Sequence, residues 1–226
     1  MSKVEVVGIT QSRIKGIDDA MGLVAYCARV SNPDNQLNKN TAGLLKYCIK
    51  HKHFSIFEMV NVVMSIETTR DIGRQILRHR SFSFQEFSQR YSQAPNKMVE
   101  RQTRLQDTEN KQNSLLCEDR SKALTFKTMQ EDVYELANMC YDNAINLGIA
   151  KEQARALLPE GLTQTNLYMN GTLRSWLTFV QVRCGIETQK ECRDIAKEVT
   201  RLLIVDFPFL SDILAPLLED NYSAEV

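Results

Sequence analysis

The densest group of side chains that could perform chemistry is one short motif and the residues just after it. Arg78-His79-Arg80 is followed, after seven intervening residues, by Ser88, and Arg90 comes two residues later. The planar guanidinium of arginine pairs with phosphate oxygens, and a nearby hydroxyl supplies a neutral donor. The motif therefore predicts a site for a phosphate and an adjacent hydroxylated sugar.

The first element that must position this motif is a helix. Residues 70–80 favour a helix, in which Gln75, Arg78 and His79 share one face at spacings of three and four. We expect that face to present an amide, a guanidinium and an imidazole together.

The second positioning element is an extended stretch. Residues 81–92 alternate in the manner of a strand, so Glu86, Ser88 and Arg90 are expected to point to the same side. A carboxylate, a hydroxyl and a guanidinium side by side suit a sugar phosphate. An exposed strand with ordinary charged side chains is the competing interpretation.

A nucleic-acid function is a further alternative for the same segment. Phe82, Phe84, Phe87 and Tyr91 interleave with arginines, as in a base-stacking surface, which predicts an RNA-binding module over residues 78–92. The chain has 28 Lys+Arg and 28 Asp+Glu, and this balance argues against nucleic-acid binding as its whole function.

Nucleophilic and metal-dependent chemistry have weaker support. Ser88 lacks a G-x-S-x-G context, and His79 is the only histidine of the motif that could activate it. His51-x-His53 with Glu58 offers two histidines and a carboxylate, and without a further ligand this set is weak evidence for a metal site. We therefore expect Ser88 to be an anion-binding hydroxyl, and we expect no metal site.

Arg183 is unusual because of its position on a predicted helix. Residues 172–184 favour a helix, in which Trp176, Val180 and Arg183 continue one apolar stripe. A guanidinium on a buried stripe needs an anionic or carbonyl partner, because an unpaired buried charge is very costly. An arginine that satisfies the last carbonyls of the helix is an equally good interpretation.

Three more residues in the second half of the chain are candidates. Arg174 and Thr178 share the polar face of the same predicted helix. Arg155 lies among apolar residues in another predicted helix, 151–158, where either a bound anion or a salt bridge would satisfy it.

The composition of the whole chain is typical of a globular protein. It has 226 residues with 43% hydrophobic and 25% charged residues, and we expect residues 1–226 to form a single α+β domain with strands early and helices late. No apolar run approaches the ~20 residues of a membrane span. Six scattered cysteines fit reduced thiols, so we expect a cytoplasmic protein without membrane association.

One long helix is expected after a polar stretch. Residues 93–121 show little apolar periodicity and are expected to form a surface excursion. Apolar side chains then recur at spacings of three and four, which predicts an amphipathic helix ending at Gly148. Its apolar face comprises Met129, Val133, Leu136, Cys140, Ala144 and Leu147.

The motif resembles the signature of the flavin-dependent thymidylate synthases, in which Arg-His-Arg, seven residues and Ser follow one another. The chain matches this signature fully over residues 78–88. Further segments look like the same family in the same order, so that the resemblance extends over most of the chain: residues 28–31, 51–58, 89–92, 154–159 and 174–183.

The resemblance implies a fold, a reaction and an assembly. It implies an α+β fold with a mainly antiparallel sheet packed by helices, and a homotetramer with active sites where subunits meet. It implies reductive methylation of dUMP to dTMP, with FAD as cofactor and NADPH and 5,10-methylenetetrahydrofolate as co-substrates. In this family no enzyme nucleophile attacks the pyrimidine, and neither nucleic acid nor membrane is a partner.

The resemblance also implies roles for residues. Arg183 matches the catalytic arginine that favours ionisation of uracil N3. Thr172 departs from the family, which often has Asn there, while Asn170 lies two residues earlier. The implied FAD contacts are Ser55, Arg78, His79, Arg80, Glu86, Thr172, Arg174 and Thr178. The implied dUMP contacts are Gln75, Arg78, Glu86, Ser88, Gln89, Arg90, Arg155 and Arg183.

Overall fold

The computed structural model describes residues 2–220 and residue 222. The strands are β1 Lys3–Ile9, β2 Asn61–Thr69, β3 Ser83–Glu86, β4 Arg104–Gln106, β5 Ser114–Leu116 and β6 Gln164–Thr172. The α-helices are α1 Ala20–Ala28, α2 Ala42–Lys50, α3 Arg70–Ile76, α4 Arg120–Asn146, α5 Lys151–Ala154, α6 Leu173–Arg183, α7 Lys190–Asp206 and α8 Ser211–Leu214. Short 3₁₀ helices occupy Pro33–Asn35, Phe54–Glu58, Arg155–Leu157, Pro208–Leu210 and Ala215–Leu218.

Four strands form an antiparallel sheet in the order β1-β2-β6-β3. Strand β2 alternates between its two faces, because Val62, Met64 and Ile66 are fully buried while the intervening side chains are half-buried. A separate antiparallel pair, β4 with β5, places Leu105 opposite Leu115. The predicted α+β fold with a mainly antiparallel sheet is confirmed.

The described chain divides into two compact units. The first unit comprises residues 2–3, Glu67–Arg78 and Gln85–Leu167. The second unit comprises Val4–Ile66, His79–Phe84 and residues 168–220 with 222.

In the first unit, Arg101 ties the polar stretch before α4 to its surroundings. Its guanidinium donates to Thr69, to Asp71 and to the carbonyl of Gly161, the last at 3.0 Å from Nε. The Gln130 side chain of α4 bonds to both the backbone N–H and the carbonyl of Arg101, at 2.7 and 3.1 Å. Part of the expected surface excursion is thus anchored by a half-buried arginine.

In the second unit, aromatic side chains of α6 and the Phe54–Glu58 helix form much of the core. Trp176 and Phe179 are fully buried, and the Trp176 indole donates to the Val62 carbonyl at 3.0 Å. Phe57 stacks on Phe209 with ring centroids 6.0 Å apart. The buried indole therefore has the hydrogen-bond partner that its N–H requires.

Helix α4 is longer than the expected helix, and the face that it buries is not the apolar face that the sequence predicted. It begins after Asp119, whose carboxylate accepts hydrogen bonds from the first backbone N–H groups. Its buried residues are Gln130, Tyr134 and Tyr141, whereas the apolar side chains that predicted the helix are largely exposed. Among the described residues, no helix combines the length and apolarity that a membrane crossing needs.

Helix α3 ends earlier than expected. The Leu77 N–H bonds to the Gly73 carbonyl as an α-helix requires, but the Arg78 N–H reaches only to Gln75, three residues back. The helix closes at Ile76, so Arg78 lies outside it. The expected helical face of Gln75, Arg78 and His79 is therefore wrong.

Strand β3 is also shorter than expected. Its pairing with β6 ends where the Phe87 N–H donates to the Asn166 carbonyl. The Ser88 carbonyl then accepts from the N–H groups of Tyr91 and Ser92, which turns the chain. The prediction that Ser88 and Arg90 continue the strand from Glu86 is wrong for this reason.

Candidate active site

The last residue of α6 meets the histidine of the motif within the second unit. Arg183 Nε donates to His79 Nε2 at 2.7 Å, so this imidazole nitrogen is unprotonated. Burial, assisted by the charge of Arg183, lowers the pKa of His79 from 6.5 to about 4. A neutral imidazole thus orients the guanidinium without cancelling its positive charge.

Aromatic rings hold His79 in place. Phe179 meets the imidazole edge to face with centroids 5.0 Å apart, and Phe82 packs against Trp176 at 4.8 Å. A Cβ atom on Gly171 would overlap the Phe82 ring, so a glycine is required there for steric reasons. Phe82 also meets the His79 imidazole edge to face with centroids 6.4 Å apart, so the position of His79 depends on close packing around Phe82.

Two candidate threonines of α6 have local hydrogen bonds. Thr172 is the N-cap of the helix, and its hydroxyl accepts from the Ser175 N–H at 3.2 Å. The Thr178 hydroxyl donates to the carbonyl of Arg174, one turn earlier, at 3.2 Å. Both hydroxyls therefore already serve the helix backbone.

Arg174 joins α6 to the short helix that carries Ser55. Its guanidinium pairs with Glu58, the last residue of the Phe54–Glu58 helix, and Ser55 is exposed on the same helix. Arg80 is exposed as well. The ion pair therefore connects the short helix that carries Ser55 to the first turn of α6.

The first unit holds Glu86 in a buried ion pair. Arg70 Nη1 lies 3.4 Å from Glu86 Oε1, and the Thr165 hydroxyl donates to the same oxygen at 2.9 Å. Only 8% of the Arg70 side chain and 15% of the Glu86 side chain are exposed. Arg70 and Thr165 therefore fix the Glu86 carboxylate, and the sequence analysis did not identify either of them.

Ser88 and Arg90 line a shallow cleft of about 420 Å³ in the first unit. Arg90 Nε lies 3.3 Å from a carboxylate oxygen of Glu152, and Arg155 Nε donates to the Glu152 carbonyl at 3.3 Å. Arg90 and Arg155, both implied dUMP contacts, therefore each contact Glu152. The other residues lining the cleft are Tyr91, Ala150, Lys151 and Glu152.

Three further candidates also belong to the first unit. Gln75 is half-buried on α3, and Arg78 is exposed just after its end. Gln89 is only 3% exposed, and its Nε2 has no hydrogen-bond partner among the described residues. A buried donor without a partner is rare in a native structure, so a ligand acceptor at this position would satisfy it.

The geometry weakens the other functional interpretations. Phe82 is 9% exposed and packed by Trp176, so it is not available to stack on a nucleic-acid base. Within the described part of the chain, no group of three or more histidine, cysteine, aspartate or glutamate side chains is placed to hold a metal ion.

Comparisons with known proteins agree with the motif. A family profile described as "Thymidylate synthase complementing protein" matches residues 14–209. A probable flavin-dependent thymidylate synthase of Paramecium bursaria Chlorella virus 1 is 43% identical over 211 residues, which cover 93% of this chain and 97% of the relative. The flavin-dependent thymidylate synthase of Synechocystis sp. is 49% identical over 193 residues, with coverages of 85% and 88%.

A solved structure supports the same fold. The UMP/dUMP methylase PolB from Streptomyces cacaoi, bound with 5-Br dUMP, superposes with a TM-score of 0.79 at 24% identity. The match covers 96% of this chain and 95% of PolB. Because the family profile spans most of the sequence and two relatives exceed 40% identity, this chain belongs to the flavin-dependent thymidylate synthase family.

Proposed function

We propose that this protein is an enzyme, a flavin-dependent thymidylate synthase that converts dUMP to dTMP by reductive methylation. The observation that carries the proposal is the Arg183–His79 contact, in which a neutral histidine of the motif holds an arginine at the end of a buried helical stripe. That arrangement supplies one oriented positive charge, as activation of an acidic ring N–H requires.

The cofactor implied by the family is FAD, and the residues present fit it. Asn170 carries a buried Oδ1 that has no hydrogen-bond partner in the described residues, and an N–H group of a bound molecule would satisfy it. When bound, FAD supplies hydride-transfer chemistry. The residues proposed to hold it are Ser55, Arg78, His79, Arg80, Glu86, Thr172, Arg174 and Thr178.

We place the dUMP phosphate in the cleft at Ser88 and Arg90. Arg90 and Lys151 line the cleft with a single carboxylate, Glu152, so its lining has an excess of positive charge, and Arg155 is close by because it donates to the Glu152 backbone carbonyl. Charge-assisted hydrogen bonds of this kind are the strongest that proteins offer a phosphate. Gln75, Arg78, Glu86 and Gln89 complete the proposed nucleotide contacts.

Arg183 acts on the uracil ring in this proposal. A guanidinium beside N3 and O2 favours loss of the N3 proton and stabilises the anionic ring, which is the more nucleophilic form at C5. Overall, the hydrogen at C5 is replaced by a methyl group. Its carbon comes from 5,10-methylenetetrahydrofolate, its additional reducing equivalents come from NADPH, and the other products are tetrahydrofolate and NADP⁺.

Self-association is part of the proposed function. The exposed apolar side chains of α4 include four that follow the alternating three- and four-residue spacing of a coiled-coil seam: Phe126, Met129, Val133 and Leu136. We infer that a second copy of the chain covers this seam, within a homotetramer whose active sites are shared.

Residues 1–226 act as one synthase domain in this proposal. The free cysteines suit a reducing compartment, so the proposed location is the cytoplasm.

The test is the visible spectrum and product of the purified protein. A flavoprotein is yellow, bleaches when NADPH is added in the absence of oxygen, and forms dTMP when dUMP and 5,10-methylenetetrahydrofolate are supplied. A colourless protein that forms no dTMP in the presence of added FAD, but binds RNA with a steep salt dependence, would overturn the proposal in favour of the RNA-binding alternative.

A further inference from the structure

Two carbonyls near the end of α6 accept hydrogen bonds from side chains beyond the helix. The last carbonyls of a helix lack partners within the helix and need them from elsewhere. The Val182 carbonyl accepts from the Thr188 hydroxyl at 3.4 Å, and the Gln181 carbonyl accepts from the Tyr222 hydroxyl at 3.3 Å. Because Arg183 is the next residue, these contacts fix the backbone from which it projects.

The loop after Arg183 is held by the same C-terminal residue. The Ile186 N–H donates to the Tyr222 carbonyl at 2.9 Å. From the other side, Arg193 of α7 donates to the carbonyls of Ile186 and Thr188 at 3.0 and 3.3 Å. Tyr222 therefore contacts both the last turn of α6 and the loop that follows it.

A buried lysine of α7 anchors the segment just before Tyr222. Lys197 is 8% exposed, and its ammonium donates to the carbonyls of Leu218 and Glu219 and to the carboxylate of Asp220, at 3.1, 2.9 and 3.0 Å. All three donor positions of the ammonium are thus used on one segment. We name residues 218–220 and Tyr222 the C-terminal strap.

We propose that the C-terminal strap, anchored by Lys197, positions Arg183 for its action on the nucleotide, and that Lys197 and Tyr222 are positioning residues of the reaction. The inference rests on the proposed function of Arg183. Small displacements of a positioned charged group are costly, since about 1 Å of misplacement can reduce turnover by roughly a hundredfold. The Nε contact with His79 orients the guanidinium, while the strap fixes its backbone.

The experiment uses the full chain loaded with FAD and measures dTMP formation per bound flavin. Lys197→Met removes the ammonium but keeps an unbranched apolar chain, and Tyr222→Phe removes only the hydroxyl bound to Gln181. We expect each to lower kcat about tenfold with a smaller change in the KM for dUMP, because the phosphate contacts are made by other residues. Lys197→Arg, which keeps the charge, should recover most of the lost turnover.

A matched control lies on the same helix. Arg201 of α7 is exposed and pairs with Glu198 one turn away. Arg201→Met should leave kcat within about twofold of wild type, because its surface ion pair contributes little. If it lowers kcat as much as Lys197→Met does, general damage to α7 explains the loss and the strap proposal is overturned.

A double-mutant cycle separates positioning from a purely structural role. If the strap acts through Arg183, Lys197→Met should have little further effect on kcat in an Arg183→Lys background. Equal losses in both backgrounds would overturn the proposal, as would unchanged kcat in both strap variants of an active enzyme. If Lys197→Met does not fold, the same double-mutant cycle with Tyr222→Phe and Arg183→Lys tests the proposal instead. A wild type that makes no dTMP would instead overturn the proposed function, and the strap with it.

Discussion

At the scale of the residue, the main feature is a positive charge held by a neutral partner. An arginine oriented by a carboxylate would have its charge compensated before substrate arrives. Arg183 donates instead to an imidazole that burial keeps unprotonated, so its charge stays available for an anion that forms during the reaction. Arg183 can be recognised in the sequence from its place on an apolar stripe, but its contact with His79 depends on the fold.

The first prediction concerns Arg183 itself. Arg183→Ala should reduce kcat for dTMP formation by about 10² to 10³-fold, because it removes a charge placed where negative charge develops. Bound FAD should remain, since other residues are proposed to hold it. Steady-state turnover together with the visible spectrum checks both parts. Unchanged turnover would refute the role of Arg183.

The second prediction concerns pH and follows from the lowered pKa of His79, about 4 against 6.5. As pH falls below about 6.5, the unfolded chain takes up a proton at this histidine, while the folded protein does so only near pH 4. The contribution of His79 to the free energy of unfolding is therefore complete above that window and is lost on acidification through it.

Urea unfolding of the wild type and of His79→Gln checks this prediction at about pH 7 and about pH 5. Glutamine can accept from Arg183 but does not titrate. The wild type should lose more stability than the variant between the two conditions. Equal losses would show that His79 is not held neutral by the fold.

The third prediction concerns the phosphate cleft. Arg90→Ala should weaken dUMP binding by about 1.5–3 kcal/mol, because a charged hydrogen bond to phosphate is lost. Arg74→Ala is the matched control, since Arg74 is another exposed arginine of the first unit, paired with Glu160. Calorimetric titration of both variants with dUMP measures the difference. Similar affinities for the two variants would place the phosphate elsewhere.

The residues that the sequence analysis missed share a physical cause. Arg70, Thr165, Lys151 and Glu152 contribute through partners that are distant in the chain or placed by a turn. No local sequence pattern predicts such contacts for ordinary polar and charged residues. Gln89 could be assigned only through the family resemblance, and its buried unpartnered amide now gives an independent physical reason for that assignment.

At the scale of the element, periodicity predicted long elements better than their ends. Helix α6, Leu173–Arg183, lies close to its expected position at residues 172–184. The ends of α3 and β3 depend on individual hydrogen bonds and on pairing with β6, which local patterns do not encode. Strand β6 itself was not predicted, because its sequence, Gln164–Thr172, is polar on one face and contains a glycine.

The fourth prediction tests that glycine. Gly171→Ala should destabilise the protein by about 1–3 kcal/mol, because the added methyl group must displace the Phe82 ring. Gly161→Ala is the matched control, since nothing lies near its added methyl group. Denaturant midpoints for both variants check the prediction. If the two variants are equally stable, Phe82 has room to move and does not hold His79 in place.

At the scale of the whole molecule, the main feature is the apolar stripe of α4. Its spacing predicted the helix correctly, but the apolar stripe is exposed, with Met129, Val133 and Leu136 all more than half accessible. Large exposed apolar stripes usually mark interaction surfaces. A periodic pattern indicates which face of a helix is apolar, but it does not identify what covers that face.

The fifth prediction follows from this stripe. Val133→Asp should reduce the oligomeric mass, because burying a charge in a subunit contact is costly. Leu124→Glu is the control, because Leu124 is exposed on the same helix but lies outside the seam. Light scattering coupled to size-exclusion chromatography measures both masses. An unchanged mass for Val133→Asp would exclude the seam as the contact between copies.

The most direct test of the central proposal is a single turnover without oxygen. The protein is first bleached with limiting NADPH and then mixed with dUMP and 5,10-methylenetetrahydrofolate, while flavin absorbance and dTMP are followed together. We predict that the yellow absorbance returns and that one dTMP forms for each flavin reoxidised. A flavin that stays bleached until oxygen is admitted, with no dTMP formed, would contradict the proposed function.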